Sequence, residues 1–503
     1  MAMAFAMPAY AIDWRFEPSI GGTATYTDNV DQSEDDEESA LILTARPGFT
    51  LRSEGSRRVQ ASVSYGMTGV VRFGGDDDND LNHNLGAVGN AELIEDFLYI
   101  DGTASVSQEL ISLFGSPADA SINDTNRATV GTYRISPYIE KRLGTFATAR
   151  ARYAYDGAIF EDDVGSNSNA NSFTAGLTSG TRFKDLSWGL NYSLRTSTYD
   201  EGADTTFENA SATLGYALTR QFRVFGTVGQ EWNEYVGTGG AMTEIDDSYY
   251  SVGFGWSPSR RTSIEASAGE RYYGNTYSFS GSHRTRTSQW TVRYSENFND
   301  ISQQFLSEAS RIFWICNGNL FETPDFNPPA GQTGCVGPIS AGELASLFSS
   351  LGVSLADLVA ANLLNIGIAD GVYIIKSFTA GVSWDIRRWG FGLSVFDIRR
   401  VYQALDDAED QTQGVTGSVS YRMSPLTTAN GSLSYTRTSE DALLSGAGTP
   451  REDDLISLGL GVYHRFAEDL DGALTFRHTQ RDSNEVGSDY QENNLTASVN
   501  MRF

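Results

Sequence analysis

Along most of the chain an apolar residue returns at every second position, and the residues between are small or polar. From Val59 to Phe73 the odd positions read Val59, Ala61, Val63, Tyr65, Met67, Gly69, Val71 and Phe73. The even ones read Gln60, Ser62, Ser64, Gly66, Thr68, Val70 and Arg72. Leu186, Trp188, Leu190, Tyr192 and Leu194 alternate in the same way with Ser187, Gly189, Asn191, Ser193 and Arg195. Val415, Gly417, Val419, Tyr421 and Met423 alternate with Thr416, Ser418, Ser420 and Arg422. A period of two puts the apolar set on one face of a β-strand. Strands of soluble sheets average roughly five or six residues, whereas these runs have the roughly 9–11 that a tilted strand needs to cross a bilayer.

The connections fall into two classes that alternate. Short ones occur at Glu54–Arg57, Arg142–Thr145, Ser257–Arg260 and Met423–Leu426; the others are longer, acidic and rich in Gly and Asn. Short periplasmic turns and long extracellular loops are the pattern of an outer-membrane barrel, which in a single chain has an even strand number, here about 22. The expected fold class is therefore all-β, one large antiparallel transmembrane barrel over residues 12–503.

Keeping the two classes in phase across the middle of the chain calls for a turn at Asn297–Asp300 and an upward strand over Ile301–Ile315. Residues 316–369 then form an extracellular insert, with two short helices opened by the capping boxes Ser340–Glu343 and Ser354–Asp357. Their apolar residues, Leu344, Leu347, Phe348, Leu358, Val359 and Leu363, need a surface to cover, so the insert is either a lid on the rim or a plug in the lumen. At the C-terminus Leu495, Ala497, Val499, Met501 and Phe503 alternate with polar residues. A last strand ending on a terminal Phe resembles the signal read by the barrel-assembly machinery.

Composition fits this pattern. Gly (51), Tyr (24) and Phe (27) are abundant, Pro (12) is scarce, and mean hydropathy is -0.31. No apolar stretch is long enough for a spanning helix, a test that a barrel evades because only alternate residues face lipid. The formal charge of -28 makes nucleic acid an improbable partner. The acids gather between strand-like runs, at Glu34–Glu38, Asp76–Asp80, Glu161–Asp163, Asp406–Asp410 and Glu452–Asp454. Residues 1–11, ending Ala9-Tyr10-Ala11, read as the remnant of a secretory signal. Cys316 and Cys335 lie close together without His neighbours, which favours a disulfide over a zinc site. Such a bridge contributes on the order of 3 kcal/mol in the chain-entropy model.

The candidate chemistry is that of a lumen. Alternation turns Arg72, Arg150, Arg152, Arg195, Arg293, Arg422, Arg477 and Arg502 inward, several of them near short turns. One reading pairs them with inward acids that stiffen the wall. The other is a basic lumen below acidic loops, suited to guiding an anionic or hydroxyl-rich polymer. Enzymatic chemistry finds little support. The four His residues, His83, His283, His464 and His478, have no patterned Ser partner, and no nucleophile elbow, phosphate loop or zinc-protease motif occurs. His83 beside Asp76–Asp80 reads as surface, and those loop carboxylates lack the ordered spacing of a calcium site. No cofactor is implied.

Several segments together also resemble a family of outer-membrane barrels associated with exosortase and exopolysaccharide gene clusters. They are Trp14, Pro18, Tyr26-Thr-Asp-Asn-Val30, Arg46-Pro-Gly48, Ser136-Pro-Tyr138, Ser187-Trp-Gly189 and Gly229-Gln-Glu-Trp232. The densest are Gly253-Phe-Gly-Trp-Ser-Pro-Ser-Arg260, Gly269-Glu-Arg-Tyr-Tyr-Gly274 and His283-Arg-Thr-Arg-Thr-Ser288. The resemblance covers roughly residues 12–310 and implies a channel in exopolysaccharide export or assembly. It implies outer-membrane lipids, the assembly machinery, exopolysaccharide and periplasmic polysaccharide-export proteins as partners. The same wall chemistry also permits a diffusion porin for small solutes, or a non-conducting scaffold closed by its insert.

Overall fold

The computed structural model describes residues 12–503 apart from 57, 75–78, 116–124, 162–163, 238–239, 406–407 and 446–447. Between 301 and 370 it describes only 303–306 and the backbones of three short strands. Twenty-two antiparallel strands form one closed sheet, each hydrogen-bonded to its sequence neighbour in the wall. Closure is made by β1 (Asp13–Thr27) and the last strand, β25 (Tyr490–Arg502), in a register running from Ser19↔Arg502 to Thr27↔Asn494. No backbone edge is left facing hydrocarbon, the condition for a sheet to span a bilayer.

Period two sorts the side chains by solvent. On β3 (Val59–Phe73) the exposed apolar residues are Val71 and Phe73, while Thr68, Val70 and Arg72 on the alternate register are buried. On β21 (Glu409–Ser424) Val415 and Met423 are exposed, and Thr412 and Thr416 are buried. A soluble protein would invert this; here the exposed apolar face is the lipid face. Aromatics crowd that face at both rims, with Trp14, Trp256, Trp290 and Trp389 near the short turns and Tyr26, Phe73, Trp232 and Tyr435 toward the loops.

The insert departs from expectation. β15 (Ser288–Asp300) runs unbroken through the expected turn and pairs directly with β19 (Val372–Ile386), from Ser288↔Trp384 to Asp300↔Val372. Among the described residues between 301 and 315 none belongs to a wall strand, and the segment between β15 and β19 starts at 301, not 316. Phase is restored by β13 (Thr262–Arg271) and β14 (Gly274–Arg284), joined on the loop side by Tyr272 and Tyr273 alone. Loop length failed as a marker because one extracellular connection is as short as a periplasmic turn. Within the insert, β16 (Ile312–Cys316) lies between β17 (Asn319–Thr323) and β18 (Cys335–Ser340), and the register sets Cys316 opposite Cys335. The expected helices after Ser340 and Ser354 lie outside the described residues, as do residues 1–11.

Candidate transport lumen

The inner wall divides into two halves. On β7 (Ala147–Phe160) the inward residues Thr148, Arg150 and Arg152, next to the short turn, are exposed or half-buried. Ala154, Asp156, Ala158 and Phe160, on the same face toward the loops, are buried. The same step occurs on β21, where Thr416 is buried and Arg422 exposed, and on β25, where Glu492 and Asn494 are buried and Arg502 exposed. The loop half of the lumen is filled and the turn half is lined by solvent-accessible side chains.

Two described stretches fill the loop half. After β15, Phe305 packs edge-to-face on Phe160 and joins Val130 and Ala158, inward residues of β7 and of β6 (Arg127–Leu143). Asp300 is buried beside Ser197 and Arg195 of β9 (Leu186–Tyr199). From another sector Phe114, in the loop before β6, crosses toward β23 (Arg451–Arg465) and β24 (Leu470–Ser483). Its carbonyl accepts from Arg481 at 2.5 Å and Arg451 at 3.3 Å, and the Arg451 guanidinium lies 4.8 Å from its ring centre. β18 of the insert lies against β3 and β4 (Asp80–Ile94); β4 and β15 stand diametrically opposite in the ring. The insert therefore spans the mouth.

The expected lumen arginines fall into two groups. In the loop half, Arg72 pairs with Asp80 at 2.5 Å, and Arg195 with Asp156 at 2.8 Å and Asp300 at 3.9 Å. Buried charge needs such partners. In the turn half, Arg152 reaches Asp101 at 2.6 Å and Ser136 at 2.8 Å, and Arg502 reaches Asp471 at 3.1 Å. Arg150 and Arg152 lie over the Tyr138 ring at 4.5 and 4.1 Å, with Tyr99 stacked on Tyr138 at 5.0 Å. Arg293 and Arg422 are exposed, and Arg477 is half-buried. Around these lie Gly, Ser and Asn, for example Ser187, Gly189, Asn191, Ser418, Ser420 and Asn430.

Sequence reasoning missed three buried pairs in the loop half: Arg271 with Glu231, Arg400 with Asp410, and Arg481 with Asp453. Arg400 lies on β20 (Trp389–Tyr402), where the inward residues Phe396 and Ile398 are themselves apolar. The alternation that exposes Arg72 in the sequence is blurred there. All four His bond to a hydroxyl or amide: His83 to Tyr65, His283 to Thr262, His464 to Thr427 and His478 to Asn493. Among the described residues, no carboxylate is bonded to any of the four imidazoles in the way that orients a catalytic His.

Compared with known families and characterised proteins, the sequence finds no match. Its backbone does match solved structures. The siderophore receptor PirA from Acinetobacter baumannii superimposes with a TM-score of 0.54 at 8% identity, covering 98% of this chain and 81% of that one. The FrpB iron transporter from Neisseria meningitidis gives 0.50 at 10% identity, covering 97% and 82%. The chain is an outer-membrane β-barrel. At such low identity the likeness concerns the fold alone. The barrel's short turns face the periplasm and its long loops the exterior, so the filled half is extracellular and the accessible arginines line the periplasmic half.

Proposed function

We propose that this barrel is a conduit for a polysaccharide in exopolysaccharide export or assembly, entered from the periplasm. The observation that carries this reading is the asymmetry of the lumen. Its periplasmic half combines hydroxyls, glycines and asparagines with accessible arginines and the Tyr99–Tyr138 stack. Sugar rings stack on aromatic faces, hydroxyl walls exchange hydrogen bonds along a sliding chain, and guanidinium forks hold acidic groups. The material at Phe114 and around Phe305 in the extracellular half argues against a constantly open diffusion porin, and a polymer conduit must open there during transport. The two neighbours are named a siderophore receptor and an iron transporter, and at 8% and 10% identity those names carry no substrate over to this chain.

The test is deletion of the gene followed by measurement of secreted polysaccharide, with complementation by the intact chain and by the Arg150→Gln/Arg152→Gln variant. The expected outcome is loss of the secreted polymer on deletion, full rescue by the intact chain, and partial rescue by the variant. Unchanged secretion in the deletion strain would reject the reading.

A further inference from the structure

Two of the segments that carry the family resemblance meet at one place. The turn between β12 (Met242–Ser259) and β13, carrying Arg260 and Arg261, stands beside the turn between β14 and β15, where Arg284 ends β14 and Arg286 lies in the turn. A cavity of about 770 Å³ opens between them, and none of its twelve lining residues is apolar. The next turn along the rim adds Arg387 and Arg388. All six arginines are exposed, and no carboxylate among the described residues pairs with any of them. In a chain of formal charge -28, six unneutralised guanidinium groups on three adjacent turns form a concentrated positive field at the periplasmic mouth.

The framework of the cleft is fixed while its charges are free. Ser259 Oγ lies 3.1 Å from Thr262 Oγ1 and accepts from the Arg261 amide at 3.1 Å. Thr285 Oγ1 accepts from the amides of Thr287 and Ser288 at 3.2 and 2.9 Å. The Arg284 amide donates to the Arg261 carbonyl at 2.8 Å, tying the two turns together. Thr262 and His283 are joined at 2.8 Å. The hydroxyls brace the backbone, and the guanidinium groups remain for a ligand. Ser263, Ser282, Arg284 and Gln289 lie on the inward registers of their strands, so the cleft opens into the lumen.

We propose that this cleft is the entry subsite for a carboxylate-bearing glycan, such as a chain containing uronic acids. The lining argues for that occupant over two others. A protein partner is expected to bury a large aromatic or aliphatic side chain at its centre, and no Phe, Tyr, Trp, Met, Leu, Ile or Val lines this cleft. Inner-leaflet headgroups meet the outside of a barrel, and basic residues recur for them on or beside other turns, at Lys141, Arg142, Arg182, Lys184 and Arg220. This cleft is instead lined by the inward-register Ser263, Ser282, Arg284 and Gln289. Guanidinium forks match carboxylates, and Ser, Thr and Gln match sugar hydroxyls. Calling the bound glycan a polymer in transit rests on the export reading; the binding site itself does not.

The experiment is calorimetric titration of the full-length folded barrel in detergent with tetragalacturonate and, separately, with maltotetraose. Expected are binding of the uronate that weakens as salt rises, no detectable binding of the neutral sugar, and a loss of at least about tenfold in Arg284→Gln/Arg286→Gln. Arg260→Gln/Arg261→Gln provides a second variant should the first fail to fold, and Arg58→Gln, outside the arc, should bind as the parent does. Equal binding of both sugars, or unchanged uronate affinity in both arc variants, overturns the proposal. Displacement of the uronate by an equal concentration of inorganic phosphate also overturns it, in favour of a general phosphate or headgroup site. Uronate binding lost in the variant while its strain secretes normal polymer would reject the export reading and leave the site standing.

Discussion

Arg195 shows what a charge in the wall of this barrel does. It lies between Asp156 and Asp300, both completely buried, and only its bond to Asp156 is short. Asp300 also directs the backbone. Its Oδ1 accepts from the Gln303 amide at 2.8 Å, turning the chain from β15 into the mouth. Arg195→Gln removes the guanidinium bonded to the buried Asp156 and lying 3.9 Å from Asp300, so a loss of about 3 kcal/mol in folding stability is expected. Asp300→Asn keeps both the Arg195–Asp156 pair and the acceptor for Gln303, and should lose less than about 1 kcal/mol. Urea unfolding in lipid vesicles, followed by tryptophan fluorescence, separates the two; equal losses would mean that Arg195 acts chiefly through Asp300. The sequence marks Arg195 as inward by alternation but is silent about Asp300, which ends β15 where a turn was expected instead.

At the scale of the strand, β25 joins the two ends of the sheet. Met501 is paired with both Ile20 of β1 and Leu470 of β24, and the Phe503 amide donates to the Pro18 carbonyl at 2.9 Å. Leu495, Val499 and Phe503 face lipid beside them. Removing residues 501–503 erases the closing pairs at the periplasmic rim together with the terminal Phe expected to be read during assembly. The folded, heat-modifiable band should then fall severalfold while synthesis continues, and a normal folded yield would count against that role. Strands of this kind were legible because one face is apolar against lipid and the other polar, as in Leu186–Tyr199. The extracellular half was harder to read because both faces are covered there: Ile42, Val70, Ala128, Val130, Phe396 and Ile398 face inward and are buried. An apolar residue on each face erases period two, so neither the packed mouth nor the pair Arg400–Asp410 stands out in the sequence. The hairpin at Tyr272–Tyr273 was hidden for another reason. Gly274 has φ of 107°, a conformation that lets two residues reverse the chain, but a glycine beside tyrosines carries no sign of which rim it serves.

On the scale of the whole barrel, the architecture is a cup, filled toward the exterior and accessible from the periplasm. β21 tests this within one strand, because Thr416 and Arg422 share its inward face and differ only in depth. Thr416 is 2% exposed, under the material that fills the extracellular half, whereas Arg422 is exposed near the periplasmic turn. A cysteine in place of Arg422 should react with a bulky, membrane-impermeant maleimide when the reagent reaches the periplasm, and should stay unmodified in intact cells. A cysteine in place of Thr416 should remain unmodified from either side until the protein is unfolded. The comparison needs no knowledge of the transported molecule, and two separate stretches, at Phe114 and at Phe305 near the start of the insert, reach into the mouth from different sectors. Labelling of the Thr416 cysteine in intact cells would mean that the extracellular half opens at rest, and would return the open porin to first place. Labelling of the Arg422 cysteine from the periplasm alone would put the accessible arginines where a polymer arriving from inside the cell meets them first.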